Sequence, residues 1–351
     1  MKKIILILVS VLIVGIITSI GVTHVTYMKN FPRFDRPLED EHAYLTESHI
    51  GDYPREEVSF VSGDNTLQGY LYQRGDAKAL VVIVHGLGGG ADSYLSHMKW
   101  FYDEGFSVFM FDATGTYDSE GSSTLGFPQI IIDLEHALDY VSSHEELKTL
   151  DFLLFGHSWG GYAVLNSPHV SDKVQAIVSV SAPASANDMI GEQIDKSMGI
   201  FSELLKPMNV LYQSLRFSSY AKYDGIKAIN EYNIPTMLIH SRVDKLVGID
   251  ASAAVNRQEE ITSDKVQILI LENIARTHNH ILKSEAALDY VDTLNEEYRQ
   301  VFDTYDGEVP EEIRTEFYQS VDRYLAQELD ASIMGKILAF YLNVLEEKNN
   351  E

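Results

Sequence analysis

Four short, almost wholly apolar runs, at residues 79–84, 106–111, 152–155 and 174–180, are separated by segments of helical length, and this alternation restricts the fold more than any other feature of the chain. A strand with one wet face alternates apolar and polar residues. A run that is apolar throughout reads as a strand covered on both faces, as in a parallel sheet with helices on each side. The spacers agree: residues 91–104 and 128–144 read as helices, and the second carries Ile131, Leu134, Leu138 and Val141 on one stripe. Residues 235–240 and 266–271 supply two more strands. Ahead of them all, residues 58–61 and 67–72 alternate like a half-exposed antiparallel pair around a turn at 62–65. The expectation is a mostly parallel eight-stranded α/β sheet with helices on both faces.

The alternation lapses at about residues 183–233. Met189, Met198, Leu205, Met208, Leu211 and Leu215 recur there without a strand pattern, which predicts a helical insertion acting as a lid, since flexible methionines suit adaptable apolar surfaces. From residue 281 onward the chain reads as helical, with helices expected at 284–302, 310–329 and 332–347. The last of these carries Ile333, Met334, Ile337, Phe340 and Tyr341 on one face and is expected to pack on the body.

Lys2 and Lys3 precede an uncharged stretch, residues 4–28, rich in Ile, Leu and Val. A bilayer core takes about 20 apolar residues, whereas a signal-peptide core is about 7 to 15 long. The stretch therefore predicts an uncleaved transmembrane helix, with Ser19 and Gly21 fitting the alternative of a cleaved signal peptide. Lysines ahead of the span place the remainder outside the cytoplasm, in a single-pass protein of the cell membrane. Residues 29–56, with Pro32, Pro37 and Pro54, read as a connector. A formal charge of −25 argues against a nucleic-acid partner bound through a basic surface. The absence of cysteine excludes disulfides, thiolate catalysis and cysteine-ligated zinc.

The run 152–155 ends in Gly156-His157-Ser158-Trp159-Gly160-Gly161, a G-x-S-x-G turn between strand and helix that marks Ser158 as a candidate nucleophile. A serine hydroxyl needs a base to take its proton and a third group to orient that base. Asp244 follows the strand 235–240 and His278 follows the strand 266–271, so both sit at the same sheet edge as Ser158. Asp250 and His280 are their rivals. His278 and His280 also suggest a metal pair, but no nearby carboxylate completes a zinc motif. His157 and His240 read as hydrogen-bonding rather than catalytic residues. The loop from His85 through Gly90 follows the first parallel strand, which suits an oxyanion hole formed by the backbone amides of Leu87 and Trp159. No Gly-Lys-Ser/Thr follows to favour the rival reading of a phosphate loop.

Taken together, His85-Gly86-Leu87-Gly88, the D-x-x-G loop from Asp112 to Gly121, the turn around Ser158, Asp244 and His278 resemble the α/β-hydrolase superfamily. The resemblance is to the serine-hydrolase branch holding monoacylglycerol lipases, esterases and serine aminopeptidases. It covers roughly residues 58–290. It implies the α/β-hydrolase fold, a Ser158–Asp244–His278 triad, no cofactor, and a small-molecule acyl substrate, with carboxylic ester cleavage favoured and amide cleavage or acyl transfer on the same triad as alternatives. A non-catalytic hydrolase-like binding protein is the reading from outside the enzymes. Tyr117 and Thr277 stand where such proteins usually carry glycine. The implied organisation is an anchor at 1–28, a connector at 29–56, a hydrolase domain at 57–300 with a lid at about 183–233, and a helical extension at 301–351. The oligomeric state is not legible.

Overall fold

Eight strands form one sheet in the order β1-β2-β4-β3-β5-β6-β7-β8. They are β1 (Glu56–Ser62), β2 (Asn65–Tyr72), β3 (Leu80–Val84), β4 (Ser107–Phe111), β5 (Phe152–His157), β6 (Val174–Val180), β7 (Thr236–Ser241) and β8 (Val266–Leu271). Only β2 pairs antiparallel with its neighbours, β1 and β4, and the rest run parallel. This computed structural model describes residues 2–39 and 42–350, with the side chains at 7, 11–13, 16, 201 and 204 outside the description.

Because successive strand residues point to opposite faces, the apolar runs feed two cores at once. Leu80, Val82 and Val84 of β3 join the core beneath α3 (Gln129–Ser143), α4 (Trp159–Asn166) and α7 (Gly225–Tyr232). Val81 and Ile83 join the opposite core, beneath α2 (Leu95–Asp103) and α11 (Ala331–Asn350). The edge strand β8 departs from the expectation of burial on both faces, since its residues are half-buried or exposed.

Between β6 and β7 the chain inserts α5 (Ala186–Met198) and α6 (Ser202–Phe217) before α7. Ser185 caps α5 by accepting from the Asp188 amide at 3.1 Å. After β8 come α8 (Glu285–Thr304), α9 (Glu311–Gln319), α10 (Arg323–Ala326) and α11. The single helix expected at 310–329 is broken in two. Asp322 turns its carboxylate onto the Leu325 amide at 3.0 Å to cap a new helix, and Val321 is buried against the cluster of Leu294 and Ala326. The last helix packs on the sheet, where Tyr341 Oη donates to the Leu154 carbonyl at 2.7 Å.

The N-terminal segment forms helix α1 (Lys2–Asn30). Among the described residues no helix is long and apolar enough to cross a membrane, the side chains at 7, 11–13 and 16 of α1 lying outside that set. The expected span over residues 4–28 thus has no counterpart among the described residues, and one face of its C-terminal end packs on protein. Tyr27 is buried, its ring 5.0 Å from Tyr212 of α6 and 4.6 Å from Phe31, and its hydroxyl accepts from the Phe127 amide at 3.0 Å. The connector then runs across the D-x-x-G loop: Arg33 donates to the carbonyls of Tyr117, Ser119 and Gly121, and Phe34 bridges to Thr116. Residues 40 and 41 of the connector lie outside the described residues.

Candidate active site

Ser158 sits between β5 and α4 with φ 57° and ψ −115°, a conformation unfavourable for any residue with a side chain. The surroundings enforce it. Ser158 N donates to Val180 O at 2.8 Å, and Ser158 O accepts from Tyr162 N at 2.9 Å as α4 begins. Strand and helix approach so closely that a Cβ at Gly156 would fall 2.3 Å from Gly160 O, and one at Gly160 would fall 2.0 Å from Val84 O. Glycine is therefore obligatory at both ends of the turn.

The structure brings Ser158, His278 and Asp244 together. Ser158 Oγ lies 2.8 Å from His278 Nε2, and His278 Nδ1 lies 2.7 Å from Asp244 Oδ2. A carboxylate only accepts, so His278 donates through Nδ1 and leaves Nε2 as the acceptor of the serine proton. The other Asp244 oxygen accepts from the amides of Leu246 at 2.9 Å and Val247 at 3.0 Å. Burial pushes the Asp244 carboxyl up, but the hydrogen bond and charge of His278, with the Val247 amide, outweigh it and hold the group below the usual carboxylate range.

Two loops face the serine. His85 is buried, donating through Nδ1 to Gly86 O at 2.8 Å and accepting at Nε2 from the Ala113 amide at 3.0 Å; burial lowers its pKa to about 4 and keeps it neutral. It thereby ties the loop carrying Leu87 to the D-x-x-G loop. Leu87 lines the cavity above Ser158, and Trp159 is the first residue of α4, where an amide has no acceptor within its own helix. The Trp159 indole is fixed by donating to Phe127 O at 2.7 Å. Tyr117 adopts φ 39°, the left-handed region that glycine would occupy freely, with its hydroxyl 3.0 Å from Ser93 Oγ and the Arg36 guanidinium 5.0 Å from its ring centre. Thr277, by contrast, is extended and needs no glycine.

The rivals stand apart. Asp250 is exposed, and the His280 ring reaches only Thr277, at 3.5 Å, among the described residues. His240 Nε2 donates to Val247 O at 3.0 Å. His157 has a positioning contact that sequence spacing did not reveal. Its Nε2 donates to the His278 carbonyl at 3.0 Å while Nδ1 accepts from Tyr94 Oη at 2.7 Å. Burial, then the neighbouring His278, push His157 down to about 3. Among the described residues no group of three or more His, Asp or Glu is arranged to hold a metal ion.

A cavity of about 1030 Å³ opens over Ser158. Met189, Ile190 and Ile194 of α5 and Leu205 of α6 give it apolar walls, and Val22, Thr26 and Tyr27 of α1 close one side. His97, His280, Lys283, Asn295 and Gln327 line it as well. Nothing in the sequence pattern announced that α1 and the C-terminal helices reach this site.

A serine on a strained strand-to-helix turn, at the carboxyl edge of a mostly parallel sheet and in line with a histidine and a buried carboxylate, is the arrangement of a serine hydrolase. Residues 75–224 match the family described as serine aminopeptidase, S33, and the site and fold are similar to those of the serine-hydrolase branch of the α/β-hydrolase superfamily. Escherichia coli K12 YfhR is 25% identical over 200 residues, a match covering 55% of this chain and 64% of that protein. Among solved structures, the Pyrococcus furiosus esterase Pf2001 superposes with a TM-score of 0.54 at 16% identity, covering 82% of this chain and 98% of its own. Est1E of Butyrivibrio proteoclasticus, with ferulic acid bound, gives 0.50 at 16% identity, covering 69% and 98%. These two structural likenesses share the fold.

Proposed function

We propose that this protein is a membrane-anchored serine hydrolase that cleaves carboxylic esters. One observation carries the reading: the continuous hydrogen-bonded line from Ser158 Oγ through His278 to Asp244. In the reaction, Ser158 Oγ attacks the acyl carbonyl while its proton passes to His278 Nε2. Asp244 holds the resulting imidazolium, and the amides of Leu87 and Trp159 donate to the developing oxyanion. The tetrahedral adduct collapses to an acyl-enzyme as the alcohol leaves with the proton from His278. Water, deprotonated by the same nitrogen, then releases the acid and frees Ser158.

The apolar walls from α5 and α6 support an acyl chain as the part of the substrate held there, with the two helices acting as a lid. An anchor is supported by the exposed side chains of Ile4, Ile5, Leu6, Leu8, Val9, Val14 and Ile17 on α1, apolar surface that water would not favour and that lipid would cover. Lys2 and Lys3 ahead of it then orient the hydrolase domain outside the cytoplasm.

The family match favours a second reading, an aminopeptidase on the same triad. Such a substrate carries an α-ammonium that needs a carboxylate nearby. The described cavity lining presents Lys283 and no Asp or Glu, which supports the ester. Turnover of p-nitrophenyl esters beside aminoacyl amides, by the parent protein and by Ser158→Ala, separates the two. The ester reading expects ester turnover that Ser158→Ala abolishes; faster turnover of the amides would replace it with the aminopeptidase.

A further inference from the structure

Lys283 stands five residues past His278 in the sequence, lines the same cavity as Ser158 and is only 8% exposed. Its ammonium donates to the Ala326 carbonyl. Among the described residues no carboxylate pairs with it, and burial lowers its pKa to about 8. The nearby acid is already taken, since Asp330 pairs with Arg276, which also donates to the carbonyls of Ile281 at 3.0 Å and Lys283 at 2.6 Å. A buried cation with one neutral acceptor is costly unless a ligand supplies the missing charge.

Two histidines, His97 and His280, line the same cavity. His97 has a buried Nδ1 with no hydrogen-bond partner, and burial first, then the Lys283 charge, push its ring down to about 3. His280 is also lowered by burial and then by Lys283. A neutral imidazole carries one N–H that can donate. A run of neighbouring rings leads from His97 toward His278. The His97 ring lies 5.3 Å from Tyr94, Tyr94 lies 6.1 Å from His157, and His157 lies 4.9 Å from His278. The C-terminal extension holds the lysine there through the Lys283–Leu329 bridge and the Ala326 carbonyl.

We propose that Lys283, with His97 and His280, forms an anion-binding subsite beside Ser158, so that the ester this protein cleaves carries a carboxylate or a phosphate. The subsite rests on the hydrolase reading and names its substrate class. It gives the C-terminal helices a function, that of presenting a cation in an active site whose protein is otherwise strongly acidic.

Two matched pairs of esters test it by kcat/KM. One sets p-nitrophenyl hexanoate against the p-nitrophenyl monoester of adipic acid, which places a carboxylate on the acyl side. The other sets butanoylglycerol against butanoylglycerol phosphate, which places the anion on the alcohol side. In at least one pair the parent protein favours the anionic member by about 10- to 100-fold, the size of a hydrogen bond to a charged group. That ratio falls toward unity in Lys283→Met and is partly kept in Lys283→Arg. A parent ratio at or below unity in both pairs overturns the subsite, as does a ratio unchanged in Lys283→Met; the first result needs no variant, so a misfolded variant leaves the test intact. A parent protein that hydrolyses no ester and takes no fluorophosphonate label defeats the hydrolase reading itself, and the subsite with it.

Discussion

His157 Nε2 donates to the backbone carbonyl of His278 at 3.0 Å, so the residue before Ser158 helps hold the backbone of the histidine proposed to activate it. The contact is one link of a longer line. Gly86 N donates to Tyr94 Oη at 3.0 Å, and Tyr94 Oη lies 2.7 Å from His157 Nδ1. With His157 neutral, every donor in this line has one acceptor and the direction of each hydrogen bond is determined. The loop before Leu87 and the backbone of His278 are thus held to each other through a single phenol.

Tyr94→Phe removes the central hydroxyl and leaves the Gly86 amide and His157 Nδ1 buried without partners. The expected cost is about 1–3 kcal/mol of stability, read by urea denaturation. Because both catalytic loops lose register, kcat is expected to fall about tenfold while KM changes less. Equal losses in Tyr94→Phe and in a variant at a buried tyrosine remote from the site, such as Tyr341→Phe, would deny Tyr94 a positioning role.

The backbone at Ser158 stores strain that a glycine would not feel. Ser158→Gly and Ser158→Ala both delete the proposed nucleophile, so stability rather than activity distinguishes them. At φ 57° and ψ −115° the alanine retains the conflict between Cβ and backbone and the glycine does not. Ser158→Gly is expected to be the more stable of the two by about 1 kcal/mol. Denaturant midpoints measured side by side decide it.

Lys283 makes an opposite-sign prediction about stability and pH. Its pKa is lowered from 10.5 to about 8 in the folded protein, so the unfolded chain binds that proton more tightly. Between these pH values stability from this group rises with pH, and below about pH 8 the full cost is present. A shift of this size corresponds to about 3 kcal/mol at most. Lys283→Met is therefore expected to unfold about 1–3 kcal/mol later than the parent at pH 7, with the gap narrowing toward pH 10. A variant less stable than the parent at pH 7 would show the lysine to be structural.

The two ends of α1 are expected to behave differently on truncation. Residues 2–21 hold most of the exposed apolar side chains of α1, and their removal is expected to move the protein from the membrane fraction to the soluble fraction with its ester turnover retained. Removal of residues 2–32 also takes Tyr27 and Phe31, both buried in the main core, and is expected to cost several kcal/mol, about 3–5 for each large aromatic lost. Fractionation and thermal melts of the two truncations provide the check.

What the sequence disclosed and what it hid follow from range. The strands were legible because burial on both faces leaves only apolar residues, as in 80–84 of β3. The loops at Leu87, Ser158, Asp244 and His278 were legible because each follows a strand at the same sheet edge. The roles of Tyr94, Lys283 and Tyr27 were not, since each depends on contacts between segments far apart in the chain that no local period encodes. The break at Ser320–Asp322 was hidden for a similar reason: a buried Val321 and one capping carboxylate outweighed a continuous helical pattern. Tyr117 looked like a departure from the family's glycine, yet it adopts the glycine-like backbone and is held there by Ser93 and Arg36.

Ser158 is proposed as an activated nucleophile. Intact-mass measurement after treatment with a fluorophosphonate tests it most directly. A single adduct is expected on the parent protein, mapped to the peptide containing Ser158, and no adduct on Ser158→Ala. An unmodified parent protein, or a Ser158→Ala variant labelled as fully as the parent, would contradict it.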